Sequence, residues 1–156
     1  EKLTDEQALS FKDCMELLAE NASEDAIVIL LECTTKEYWG IGPIRSRMIS
    51  SSTRSSINSL RAGAVNAISR TESSVAISTL ERLAIDYPPN APISRTEGEA
   101  EFEDGAGYLI ALLLHIVREQ AGIETGPHPA ELYLGFDGEE FRKFWQLKED
   151  AKASNE

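Results

Sequence analysis

Few side chains in this sequence are of the types that carry out chemistry unaided. His115 lies within the apolar run LLLHIV, and His128 stands between Pro127 and Pro129. Neither has a second histidine at the i±4 spacing by which one helix presents two imidazoles to a metal ion. His115 therefore reads as a hydrogen-bonded interior histidine, and His128 as a residue of a rigid, exposed loop. Cys14 and Cys33 each fall inside an apolar helical pattern with no neighbouring base to lower a thiol pKa, so both read as packed thiols. Two cysteines supply neither a disulfide framework nor a CxxC metal site, and the composition suits a reduced cytoplasm. The run EGEAEFED, from 97 to 104, holds five acids in eight residues. It lacks the ligand order and turn glycine of a dedicated calcium loop, so it reads as a solvated acidic loop. No G-x-S-x-G, phosphate-cradling loop or H-E-x-x-H occurs. These residues name no reaction, no cofactor and no metal, and the expectation is a chain that binds and does not catalyse.

Charge sharpens that expectation. The chain has 156 residues and a formal charge of −12, yet residues 38 to 71 carry five arginines and no acid, leaving about −17 on the rest. Binding nucleic acid requires phosphates to be neutralised by lysine and arginine, so most of this surface should repel DNA and RNA. A basic protein partner is easier to accommodate. Within RSRMISSSTRSSINSLRAG, Arg47, Arg54 and Arg61 recur every seventh residue. On a helix that spacing drifts by about 20° per step, so the three would form a stripe along one side. The stripe reads as the charged edge of a small-residue packing seam that pairs with this protein's own acids, around Glu97 to Asp104. A partner-binding stripe is the next reading, with nucleic acid behind it, because no aromatics or lysines are interleaved.

The elements that must hold these residues are helical. Thr4 and Gln7 form a capping box, and Leu9, Phe11, Cys14, Met15, Leu17 and Leu18 return to one face of a helix from about Asp5 to Glu20. Ser23 caps a second helix with Glu24 and Asp25 in its first turn and the apolar AIVILLE behind it, a β-strand being the alternative for that β-branched run. YWGIGPI is a loop, with Pro43 free to start the next helix. Ile57, Leu60, Ala64, Val65 and Ile68 follow helical spacing, and Thr71 or Ser73 caps a further helix through Val75, Ala76, Leu80, Leu83 and Ala84. YPPNAP ends it. GYLIALLLHIVREQ is apolar nearly all round and reads as the most buried helix, with Gly122 capping its C-terminus. A short strand or helical turn follows at ELYLG. Asp137 and Glu140 then begin a last helix with Phe141, Phe144 and Trp145 on one face, and 151–156 read as a frayed tail. The longest apolar runs fall short of the ~18 residues of a membrane span, so a soluble, non-membrane protein is expected. One domain over 1–150 accommodates all of this.

Offsetting the sequence by fifty residues aligns CMELLAENASEDAIVILLE with AVNAISRTESSVAISTLER, so that Ser23 meets Ser73, Ala26 meets Ala76, Ile27 meets Ile77, Leu30 meets Leu80 and Leu18 meets Ile68. Each copy is an apolar helix, a short polar turn and a second apolar helix, which is what a stacking helical hairpin needs. The chain resembles HEAT-like repeat proteins in LRAGAVNAISRTESSVAISTLERLAID, over 57–86, and more loosely over 8–33. Its fifty-residue offset exceeds the usual 40 to 47 of those repeats. The fold class expected is mainly α: either a short HEAT-like hairpin stack or an irregular bundle of about six helices. The resemblance implies recognition of another macromolecule, without chemistry of its own.

The functional expectation is a protein-binding module, most concretely an acidic immunity protein that neutralises a cognate basic bacterial toxin in the cytoplasm. A helical-repeat fragment of a larger sensor or scaffold is the alternative. The residues expected at the interface are Glu97, Glu99, Glu101, Glu103 and Asp104 for encounter, with Tyr38 and Trp39 for anchoring, since loop aromatics rimmed by acids are typical of interfaces. The arginine stripe is the secondary candidate.

Overall fold

The computed structural model describes residues 5–21, 23–40, 51–89 and 102–134, all helical or in short connections. Six helices appear among them: α1 (Asp5–Asn21), α2 (Glu24–Cys33), α3 (Ser51–Ser69), α4 (Ser73–Asp86), α5 (Phe102–Gln120) and α6 (Pro129–Leu134), with one 3₁₀ turn at Glu37–Trp39. The AIVILL run is helix. Ser23 is the cap of α2, its Oγ accepting from the Ala26 N–H at 3.1 Å, and Glu24 and Asp25 occupy the first turn where the positive end of the dipole favours them. The expected cap of α4 moves by one residue. Glu72 takes the position and accepts from the Ser74 amide, while Thr71 turns back to donate to the Ile68 carbonyl at 2.7 Å.

α3 is the middle of the bundle and packs on α1, α2, α4 and α5, with α5 also packed on α4 and α6. Its centrality follows from its sequence: alanines and a glycine among its apolar residues let neighbouring backbones approach closely. Ala64, Val65 and Ile68 are fully buried beside Leu30 of α2, Ala76 and Leu80 of α4 and Ile110 of α5. At Gly63 an added Cβ would lie 3.4 Å from the Met15 side chain of α1. Truncating one of the buried leucines or isoleucines to alanine should cost about 2–5 kcal/mol.

α5 begins earlier than GYLIALLLHIVREQ suggests. Phe102 is buried and Glu103 and Asp104 form the first turn, so the end of the acidic run belongs to a helix. Acids at a helix N-terminus are favoured by the same dipole that favours Glu24 and Asp25, which is why the run does not stay a loop up to its glycines. At the other end Gly122 adopts φ +73°, its N–H donating to the Glu119 carbonyl at 3.1 Å and the Ile123 N–H to Arg118 at 2.9 Å, a complete left-handed C-cap. ELYLG begins as helix, in α6. The expected last helix with Phe141, Phe144 and Trp145 lies outside the described residues, as do 41–50 and the acids at 97, 99 and 101.

Candidate functional site

Two threonines end α2. Thr34 and Thr35 turn their hydroxyls back onto the Leu31 and Glu32 carbonyls at 2.7 Å each, and Thr35 Oγ1 also accepts from the Tyr38 amide at 3.3 Å. The chain then winds once more through Glu37–Trp39 and stops at Gly40, whose φ of 73° lets its N–H close the turn on Glu37. This corner presents an aromatic group. Trp39 is the anchored member: its indole Nε1 donates to the Cys33 carbonyl at 2.9 Å and its ring packs against the core. Tyr38 and Phe11 stand edge-on to it at 5.0 and 5.1 Å. Those two are 46% and 39% exposed, so apolar area faces water on a fixed mount. Glu32 and Glu37 are exposed beside it. The Cys33 thiol is next to Tyr38; it and then partial burial and Glu32 push the phenol above its ordinary value, and burial pushes the Cys33 thiol up as well.

What fixes the corner from beneath is Arg61. It is 1% exposed, buried in the middle of the bundle, and this corrects the reading of a surface stripe: Arg61 cannot be the end of a solvent-facing row. Its Nε donates to the Thr34 carbonyl at 2.7 Å, and one terminal nitrogen donates to Glu103 Oε1 at 2.7 Å and to the Tyr87 hydroxyl at 3.3 Å. The guanidinium lies 4.2 Å over the Phe102 ring, which in turn meets Tyr87 edge-on at 5.4 Å. One side chain on α3 thereby ties the end of α2, the end of α4 and the start of α5. Arginine suits this because its planar fork serves several acceptors at once while stacking on an aromatic face. Pairing with the acidic run holds for Glu103, although in the interior. Arg47 lies outside the described residues, and of Arg54 the backbone position in α3 is what the structure describes.

Glu103 is therefore not a free encounter charge on a loop. It is half-buried and also lies 3.6 Å from Lys36. Burial alone would raise its pKa, but the Arg61 hydrogen bond and the two cations outweigh it and hold the carboxyl below the usual range. Asp104 sits in the same helical turn.

Sequence reasoning placed His115 and His128 in unrelated settings, and the structure brings them together. Their rings meet at 4.9 Å, His128 Nδ1 accepts from the Ala130 N–H at 3.1 Å, and His115 Nε2 lies 3.9 Å from Glu119. His115 lines a groove of about 570 Å³ walled by Ile77, Leu114, Ile123 and Leu132. Among the described residues no group of three histidines, cysteines or acids converges as a metal site. No described helix is long and apolar enough to cross a membrane. Together these features define a mainly α-helical bundle with an aromatic, acid-rimmed corner. Comparison with family models, curated proteins and solved structures gives no match.

Proposed function

We propose that this chain is a protein-binding module without catalytic activity, and that the corner formed by Phe11, Tyr38 and Trp39 is its contact surface. The observation that carries the reading is the half-exposed Tyr38, packed edge-on against a tryptophan that is itself hydrogen-bonded in place. An aromatic held in its final orientation loses little conformational entropy on binding, and rigid aromatic anchors dominate interface energetics. The rim of Glu32 and Glu37, on a chain of −12 overall, favours a cationic partner and speeds its encounter. In its most concrete form the module is an acidic immunity protein that neutralises a basic toxin domain in the cytoplasm.

The test is co-purification with candidate basic proteins, followed by growth rescue when each is expressed with this chain. A one-to-one complex that protects cells, and loses protection with Tyr38→Ala, supports the reading; rescue that is indifferent to Tyr38, or no complex across the set, overturns it. A second reading, a unit of a longer helical-repeat protein, is favoured by Ile85 of α4. It is 79% exposed near the end of α4, where a further repeat would cover it.

A further inference from the structure

Helix α2 carries six consecutive apolar residues, Ala26 to Leu31. A helix of that composition ordinarily belongs in the interior. Here, among the described elements, it packs on α1, on α3 and on the turn at Glu37–Trp39. Ala26, Leu30 and Cys33 are buried there, whereas Val28 and Ile29 face solvent at 49% and 38% exposure. Helical spacing puts Asp25, Val28, Ile29 and Glu32 at i, i+3, i+4 and i+7, one face, and all four are exposed. The stripe is thus two β-branched apolar residues bracketed by acids about 10 Å apart along the axis. Tyr38 follows in the turn just beyond the end of α2, edge-on to Trp39.

We propose that the outer face of α2, with Tyr38 at its end, takes a cationic amphipathic helix from the partner protein. This rests on the reading of the chain as a binding module and adds what kind of element it binds. Charge complementarity selects the occupant. Val28 and Ile29 supply a short apolar seam, and a partner helix with lysine or arginine about two turns apart on either side of its own apolar seam meets Asp25 and Glu32 together. An acidic helix would place like charges against both ends. A second copy of this chain would bring the same two acids to the shared face, where they must avoid each other for the seam to close.

The probe is a synthetic helical peptide of roughly 18 residues with leucines on one face and arginines flanking them, beside an otherwise identical peptide with glutamates for arginines. Amide NMR of the full chain maps contact, and titration gives affinity. The cationic peptide is expected to shift Asp25 to Tyr38 first and to bind at least about tenfold tighter than the acidic one. Val28→Glu should weaken it by at least tenfold, and Asp25→Asn with Glu32→Gln should flatten its salt dependence. All three positions are exposed, so the circular dichroism spectrum of each variant stays that of the wild type, and Asp25→Asn lowers the melting temperature only by the small dipole contribution of a first-turn acid. Shifts centred elsewhere, equal binding of both peptides, or affinity unmoved by Val28→Glu overturn the inference. So does a concentration-dependent dimer in sedimentation that Val28→Glu abolishes, because the face then serves a second copy. Peptide binding lost in Val28→Glu and retained in Tyr38→Ala supports the α2 face while counting against the aromatic corner, and no peptide binding overturns this inference without touching the corner.

Discussion

Replacing Arg61 with alanine removes, in one step, a hydrogen bond to the Thr34 carbonyl at 2.7 Å, a charged one to Glu103 at 2.7 Å and a cation held 4.2 Å over Phe102. What remains is more costly than what is lost. The Thr34 carbonyl loses its buried donor, an effect of about 1–3 kcal/mol, and Glu103 keeps a half-buried carboxylate whose remaining cation among the described residues is Lys36, 3.6 Å away. Breaking a buried pair by deleting one partner costs about 3–5 kcal/mol. The access of water to Glu103 argues for the lower half of that range. Against a domain stability of about 5–15 kcal/mol, such a loss shifts a urea midpoint by roughly 1.5–2 M at a slope near 2 kcal/mol/M. Arg61→Lys should recover little, since an ammonium cannot serve Thr34 and Glu103 while stacking on Phe102. Arg61→Met with Glu103→Gln should be more stable than Arg61→Met alone, because the stranded charge is gone. Urea unfolding followed by far-UV circular dichroism measures all of these. A loss below about 1 kcal/mol for Arg61→Ala, or strict additivity with Glu103→Gln, would refute the assignment of Arg61 as the tie between α2, α4 and α5.

Because Glu103 is held below its ordinary pKa in the folded chain, it contributes stability that is present above the unfolded carboxylate value of about 4.3 and is lost as pH falls through the lower folded value. Glu103→Gln should therefore flatten the acid side of a stability profile measured from pH 6 downward. Ser23→Ala should cost about 1 kcal/mol through loss of the α2 cap, read by the same urea titration. Gly122→Ala should also cost about 1 kcal/mol, and for backbone strain alone, since no atom lies within 4 Å of the added Cβ at φ +73°. Under native conditions a thiol reagent should modify exposed Cys14 promptly and Cys33 slowly, because Cys33 is buried and its thiol pKa is raised; equal rates would contradict the packing of α2.

The helices were legible where periodicity and caps agree. Ser23 with Glu24 and Asp25 marks the start of α2 by local chemistry, and Gly122 marks the end of α5 in the same way. Cap choice at α4 was not, because Thr71 and Glu72 compete for the same turn and the Ile68 carbonyl decides which hydroxyl or carboxylate is left over. Arg61 was misplaced by attention to charge spacing, although its own position held the signal. It stands four residues after Ile57, four before Val65 and seven before Ile68, on the face those buried residues define. An arginine on an apolar face needs a buried acceptor, and its acid, Glu103, is 42 residues away, across a separation that no local pattern spans. The edge-on contact of His115 with His128 is hidden for a related reason: the left-handed cap at Gly122 ends α5 and redirects the chain between them. Tyr38 and Trp39 were readable as a loop pair beside Gly40, but the partition into an anchored tryptophan and an exposed tyrosine depends on the Cys33 carbonyl.

The most direct measurement on the proposed surface is the dissociation rate of a cationic partner from the wild-type chain, from Tyr38→Ala and from Ile85→Ala, followed by surface plasmon resonance at two salt concentrations. If the aromatic corner is the contact, Tyr38→Ala speeds dissociation by about thirtyfold, the equivalent of about 2 kcal/mol, while association changes little. Ile85→Ala then behaves as wild type. Dissociation unchanged in Tyr38→Ala and accelerated in Ile85→Ala contradicts the account and moves recognition to the outer face of α4.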